Sequence, residues 1–131
     1  MANQTQERRK HKRAFFTLED RIPITVIKRG LHAKTIAGTL LDVSEGGIGF
    51  MAKRHEISGL EVGNRLNVFC ACLPSPACGI KDVEVEIKYI IDFDQFAQVS
   101  VGCRFVKISS ETSESIGNLV ESRSKILEKK K

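Results

Sequence analysis

Two groups of residues in this chain have the types and spacing to bind an anion. The first is Arg8-Arg9-Lys10-His11-Lys12-Arg13. Arginine presents a planar fork of donors that meets phosphate oxygens, or the O6/N7 edge of guanine, in bidentate fashion. On an extended backbone Arg9 and Arg13 lie on the same side, roughly 13 Å apart, so both can grip one nucleotide-sized anion. The second group is Asp42-Val43-Ser44-Glu45-Gly46-Gly47. Asp42 and Ser44 share a face if the segment is a strand. A carboxylate there accepts from the N1–H and N2–H₂ edge of guanine, and a hydroxyl bonds phosphate or neighbouring backbone. Gly47 removes a side chain where a ligand or another strand approaches closely. Taken singly, each group has an ordinary reading too: short basic runs are commonly solvated tails, and Asp, Ser and Gly suit any tight turn.

Other chemistry is weaker. No Ser/His/Asp, Cys/His or paired-carboxylate arrangement stands out and no P-loop is present, so an enzyme is not expected. Cys70, Cys72, Cys78 and Cys103 form no C-x-x-C pair, and His11, His32 and His55 stand far from them, so no metal site is expected. Cys70, Cys72 and Cys103 read as small hydrophobes on strands. Arg104 lies on the polar face of a late strand, either reaching a ligand or simply solvated or ion-paired. Gly102, on the same face, can leave room for a base. Phe15 and Phe16 follow the basic segment directly and read as anchors of that segment in the core.

Those residues need a scaffold. The chain has 131 residues, 41% apolar and 28% charged, which suits one folded domain. Of the formal net charge of +5, residues 1–13 carry five Arg or Lys against one Glu, and residues 125–131 four Lys against one Glu. The body between them is therefore slightly acidic and has one Tyr and no Trp, which argues against a nucleic-acid-binding surface. No apolar run is long enough to span a bilayer, and MANQTQERRKHKR precedes no apolar stretch. A cytoplasmic protein with free thiols is expected.

Several segments read as strands. Ile22, Ile24 and Val26 alternate behind Pro23, and Lys34–Val43 is rich in aliphatic residues. Ser44–Gly47 reads as a turn, its two glycines permitting positive φ, with Ile48–Ala52 returning as a hairpin partner. Residues 53–64 read as a long connection and Arg65–Leu73 as a further strand. Val83, Val85, Ile87, Tyr89 and Ile91 alternate with mostly polar residues, as do Ala97, Val99, Val101, Cys103 and Phe105. From residue 116 the period changes: Ile116, Leu119, Val120, Ile126 and Leu127 form a helical stripe, with Ser109 or Ser110 to cap it. The expected fold is all-β, a six-stranded antiparallel β-barrel with a C-terminal α-helix. Residues 1–7 are expected to be a disordered N-terminus, 8–125 a single domain and 126–131 a basic tail.

Taken together, R-x-x-x-R at Arg9–Arg13 and D-x-S-x-x-G at Asp42–Gly47 resemble the signature of the PilZ domain family, bacterial receptors for cyclic di-GMP. The late strand Val101-Gly102-Cys103-Arg104-Phe105 resembles the family's G-x-x-F strand. The resemblance implies a noncatalytic receptor that holds cyclic di-GMP between the N-terminal arm and the outer barrel surface, with no cofactor. It implies that Arg9 and Arg13 grip phosphates and guanine edges, that Asp42 and Ser44 read a guanine, and that Gly47 holds the turn. Arg8, just before R-x-x-x-R, is compatible with a stacked pair of ligands. With 131 residues the output is expected to pass by conformational change to a protein partner, with no nucleic acid and no membrane insertion. The alternative is a PilZ-shaped interaction module that does not bind the nucleotide.

Overall fold

The computed structural model describes residues 13–16, 22–30, 33–72, 79–80, 83–93 and 95–129. Its strands are Arg13–Phe15 (β1), Pro23–Lys28 (β2), Lys34–Ser44 (β3), Gly47–Lys53 (β4), Arg65–Cys72 (β5), Gly79–Ile80 (β6), Val83–Ile91 (β7) and Gln98–Lys107 (β8). A short helix, Arg54–Ile57 (α1), and a long one, Ser110–Lys129 (α2), complete the chain. Six strands close a ring through antiparallel pairing: β3 with β2, β2 with β5, β5 with β7, β7 with β8, β8 with β4, and β4 back to β3. This is the expected six-stranded barrel with a C-terminal helix. β1 and β6 lie outside the ring, on β3 and β5.

The barrel forms because alternate β-branched and aliphatic side chains point inward. Ile24 and Val26 of β2, Val83, Val85 and Ile87 of β7, and Val99, Val101 and Cys103 of β8 are all buried. Phe50 of β4 is the largest of the fully buried side chains. Pro23 opens β2, where a missing ladder donor is tolerated.

The described ladders shift register at four places, and two of these shifts re-aim residues on the outer face. In β3 the register shifts between Leu40 and Asp42, with Leu41 as the extra residue. Leu40 and Val43 are therefore both buried, three positions apart, and Asp42 between them turns to the outer face. In β7 the register shifts between Ile87 and Tyr89. The inward stripe expected to continue through Tyr89 and Ile91 stops at Ile87, and those two residues are exposed. Ile90 packs against the core in their place.

Local details differ from the sequence reading elsewhere. The 53–64 connection contains α1 and two turns whose Gly59 and Gly63 take positive φ, 91° and 95°. Gly47 does not need the left-handed region; a Cβ there would run into the carbonyl oxygen of Cys103 and lie 3.0 Å from the Arg104 Cα. Its missing side chain lets β4 and β8 approach. Phe16 is buried as an anchor, whereas Phe15 stays exposed because Ala14 takes the inward position of β1.

Ser109 caps α2, its Oγ accepting from the Thr112 amide at 3.1 Å. The helix buries Ile116, Leu119 and Val120. It packs on β1 and β3. Gly117 lets it approach the β3–β4 turn, where a Cβ would sit 2.8 Å from Glu45 Oε1. No helix among the described residues is long and apolar enough to cross a membrane.

Candidate functional site

The site is built around the outer end of β3. Arg13 pairs with Ser44, Ala14 with Val43 and Phe15 with Asp42. Ala14 and Val43 are buried, so strand periodicity sends Arg13 and Phe15 outward, on the side of Asp42. Arg13 Nη1 donates to Asp42 Oδ1 at 3.3 Å. The Arg13 side chain is about one-third exposed and that of Asp42 mostly covered (34% and 13%), so the pair sits at the surface with its carboxylate sheltered. Of the expected arginines, Arg13 is brought to Asp42 and Ser44; Arg8 and Arg9 lie outside the described residues.

Ser44 is buried, and its Oγ accepts from the amides of Gly46 and Gly47 at 3.1 and 3.2 Å. Its acceptor capacity closes the turn, which leaves the hydroxyl proton as the group it can offer. The Phe105 amide donates to the Gly46 carbonyl at 2.9 Å and ties the turn to β8. Asp42, Ser44 and Gly47 thus occupy one corner of the barrel, as the D-x-S-x-x-G spacing predicts.

One lateral row crosses five strands on the outer face. Phe15 pairs with Asp42, Asp42 with Gly49, Gly49 with Gly102, and Gly102 with Tyr89. The flanking Ile48, Phe50, Val101 and Cys103 are buried, so a Cβ on either glycine would point outward. Those two positions are overhung from the ends of the row. A Cβ on Gly49 would meet Asp42 Oδ2 at 2.7 Å, and one on Gly102 would strike the Tyr89 ring. Gly102 therefore makes room for Tyr89 rather than leaving the open space expected above it.

Arg104 lies one row nearer the turn, paired with Gly47 on one side and Glu86 on the other. Its Nε donates to Glu86 Oε1 at 2.6 Å while half of its side chain remains exposed. The ion-paired reading of Arg104 is the one the geometry displays. Gly49 and Tyr89 are not among the sequence candidates, and Phe15, read there as a core anchor, is exposed beside Asp42. Only the motif-adjacent position of Gly49 hints at its part, because the bulge that aims Tyr89 outward leaves no mark in a regular alternation.

The arrangement offers a guanidinium, a carboxylate, a hydroxyl and flanking aromatic rings on an open sheet face. Such a set can bind a flat, anionic, hydrogen-bonding compound. It holds no nucleophile–base pair among the described side chains.

Residues 7–122 match the sequence model of the PilZ domain. No curated protein sequence matches the chain significantly. Among solved structures, the PilZ domain with c-di-GMP of YcgR from Escherichia coli aligns at 18% identity and a TM-score of 0.65. That alignment covers 94% of this chain and 96% of the YcgR domain. The MrkH–c-di-GMP complex from K. pneumonia aligns at 16% identity and a TM-score of 0.67, covering 94% of this chain and 55% of that one. The Bacillus subtilis inhibitor of motility, MotI/DgrA, aligns at 14% identity and a TM-score of 0.65, covering 88% of this chain. The chain spans about half of that protein's length, 51%.

Proposed function

Because this chain belongs to the PilZ domain family, we propose that it is a noncatalytic receptor for cyclic di-GMP. The observation that carries this reading is the contact of Arg13, last residue of R-x-x-x-R, with Asp42, first residue of D-x-S-x-x-G. The two motifs lie 29 residues apart in sequence and meet on the barrel surface. Bound ligand places its phosphates against Arg9 and Arg13, with Arg8 adding charge for a second, stacked molecule. Asp42 accepts from a guanine edge, Ser44 donates its hydroxyl, and Gly47 keeps the turn in place. Arg104 joins by exchanging Glu86 for a phosphate, and Gly102 takes part through the ring that it seats. The YcgR and MrkH structures, both with c-di-GMP, support the ligand class.

The relay follows from what the site touches. The strand that carries Arg13 packs against α2, and Glu45 of the turn lies on that helix at Gly117. Neutralising the arginines by the ligand changes the seat of β1 and with it the surface offered to a protein partner. We place this exchange in the cytoplasm.

Calorimetric titration with cyclic di-GMP, using GTP and cyclic di-AMP as controls, tests the reading. Selective binding is expected, with Arg13→Ala costing about 1.5–3 kcal/mol, as for a hydrogen bond to a charged group. A dissociation constant weaker than roughly 100 μM would instead identify a PilZ-shaped interaction module.

A further inference from the structure

We propose that the barrel end opposite the Asp42 corner is a docking surface for an acidic peptide segment of another protein, one that carries a large apolar side chain. Lys53 pairs with Gln98 and Gly47 with Arg104 at the two ends of one ladder, so about 20 Å of strand separates this surface from the β3–β4 turn. Its centre is the connection between β7 and β8. Arg54 of α1 donates from Nε and Nη2 to Asp92 Oδ1 at 2.9 and 2.7 Å. Its Nη2 also donates to the carbonyls of Phe93, at 3.0 Å, and Phe96. The Phe96 amide donates to the Phe93 carbonyl at 2.9 Å. One guanidinium thus pins the backbone of the connection to α1. Both rings nonetheless stay out in solvent, 53% and 58% exposed, and meet each other edge to face with centroids 6.0 Å apart. Lone surface hydrophobes are ordinary, but an aromatic pair held on a pinned backbone is the kind of anchor that interfaces use.

A cleft of about 600 Å³ opens beside the pinned connection, lined by Lys53, Arg54, His55, Ser58, Ala97 and Gln98. A smaller one of about 380 Å³ shares Lys53, His55 and Gln98 with it and runs toward Ala37 and Thr39 of β3. The charge here selects the occupant. Lys53 is exposed, and Lys34 Nζ bonds only neutral groups, the carbonyls of His55 and Ser58 at 3.4 and 3.1 Å. Neither lysine meets a carboxylate among the described residues, whereas Arg54 is neutralised by Asp92. Glu56 is the single acid among the described residues lining either cleft. An acidic partner supplies the missing countercharge, and its apolar side chain covers the two rings. The Ser58 hydroxyl and the Gln98 carboxamide offer donors and acceptors to a peptide backbone. Two lysines are too few for a nucleic acid or an anionic bilayer, which call for a broad basic patch.

A library of displayed random short peptides tests the proposal. Selection runs against the full-length protein, with a Phe93→Ser, Phe96→Ser double variant as the counter-target. The peptides retained are expected to carry Asp or Glu around a large apolar side chain. The best of them, synthesised and titrated, should shift the amide signals of residues 53–58 and 96–98 in a saturable way. Lys53→Glu sets like charges against the peptide and should weaken its binding roughly tenfold. Should the double variant fail to fold, Lys53→Glu takes its place as the counter-target. Retained peptides that are basic or uncharged, shifts centred on the β3–β4 turn instead, or no peptide that tells the variants from wild type would each overturn the proposal. So would a wild-type dimer in analytical ultracentrifugation that the double variant dissolves, because the occupant would then be a second copy of the chain. Phosphatidylglycerol vesicles that bind wild type and not the double variant would reassign the surface to a membrane. Cyclic di-GMP is absent from every arm, so the receptor reading stands or falls separately.

Discussion

Replacing Gly49 by alanine separates the site from the fold. The new methyl group would meet Asp42 Oδ2 at 2.7 Å and Cγ at 3.2 Å, too close for both to stay. What gives way is the end of a side chain on the open face, not backbone. Moving a carboxylate off its preferred rotamer costs about 0.5–1.5 kcal/mol. Alanine in a strand recovers about 0.5–1 kcal/mol of the chain entropy that glycine loses on folding. The two effects oppose each other, so folding free energy should change by less than about 1 kcal/mol. Binding should suffer more, because the displaced carboxylate no longer meets the guanine edge. Loss of a charge-assisted hydrogen bond of about 1.5–3 kcal/mol means a roughly ten- to hundredfold weaker dissociation constant. Urea denaturation and calorimetric titration on the same sample measure both quantities. A Gly49→Ala variant that binds like wild type, or that loses several kcal/mol of stability, would refute the placement of Asp42 over this glycine.

The neighbouring glycine should behave oppositely. Gly47→Ala drives its Cβ into the backbone of Cys103 and Arg104, so β4 and β8 must part. At the usual overpacking cost of about 1–3 kcal/mol, the melting temperature should fall by about 4–10 °C, and an unchanged melt would contradict the close strand approach. Cys103 is buried, and desolvation pushes its thiol up to about 12. It should resist iodoacetamide at pH 8 until the protein is unfolded, as mass spectrometry of the Cys103 peptide can check. Asp92 accepts from Arg54 Nη2 at 2.7 Å and Nε at 2.9 Å, and this hydrogen bonding holds its carboxyl below the ordinary 3.8. The charged form is the one favoured, so the Asp92 carboxyl carbon should titrate below 3.8 in the wild type and return toward it in Arg54→Gln. A wild-type midpoint at or above that value would break the assignment.

Much of the barrel could be read from the chain because inward positions repeat every second residue. Ile22, Ile24 and Val26, then Val99, Val101 and Cys103, are buried as that rule requires. The rule fails where a strand gains a residue. Leu41 and Lys88 fall within register shifts set by pairing with strands far along the chain, so nothing local marks them. Tyr89 and Ile91 were misassigned to the interior for that reason. The two motifs did foretell which residues meet: Arg13, Asp42 and Ser44 converge. They did not foretell how each is employed. Gly47 is small for the sake of a neighbouring strand, and Ser44 uses its lone pairs on the turn amides. Both facts depend on β8 and on turn geometry, which spacing alone does not encode.

β1 is a three-residue strand laid on β3 outside the closed ring, held inward by Ala14 and Phe16 and by the Phe16 amide bonded to the Leu41 carbonyl at 2.8 Å. Peeling it away breaks none of the six ring pairings. Its opening is therefore a subglobal event, cheaper than unfolding the barrel, and amides of residues 14–16 should exchange with deuterium ahead of those in β7 and β8. A molecule built this way can lift and reseat its outlying strand many times while the cylinder beneath stays intact.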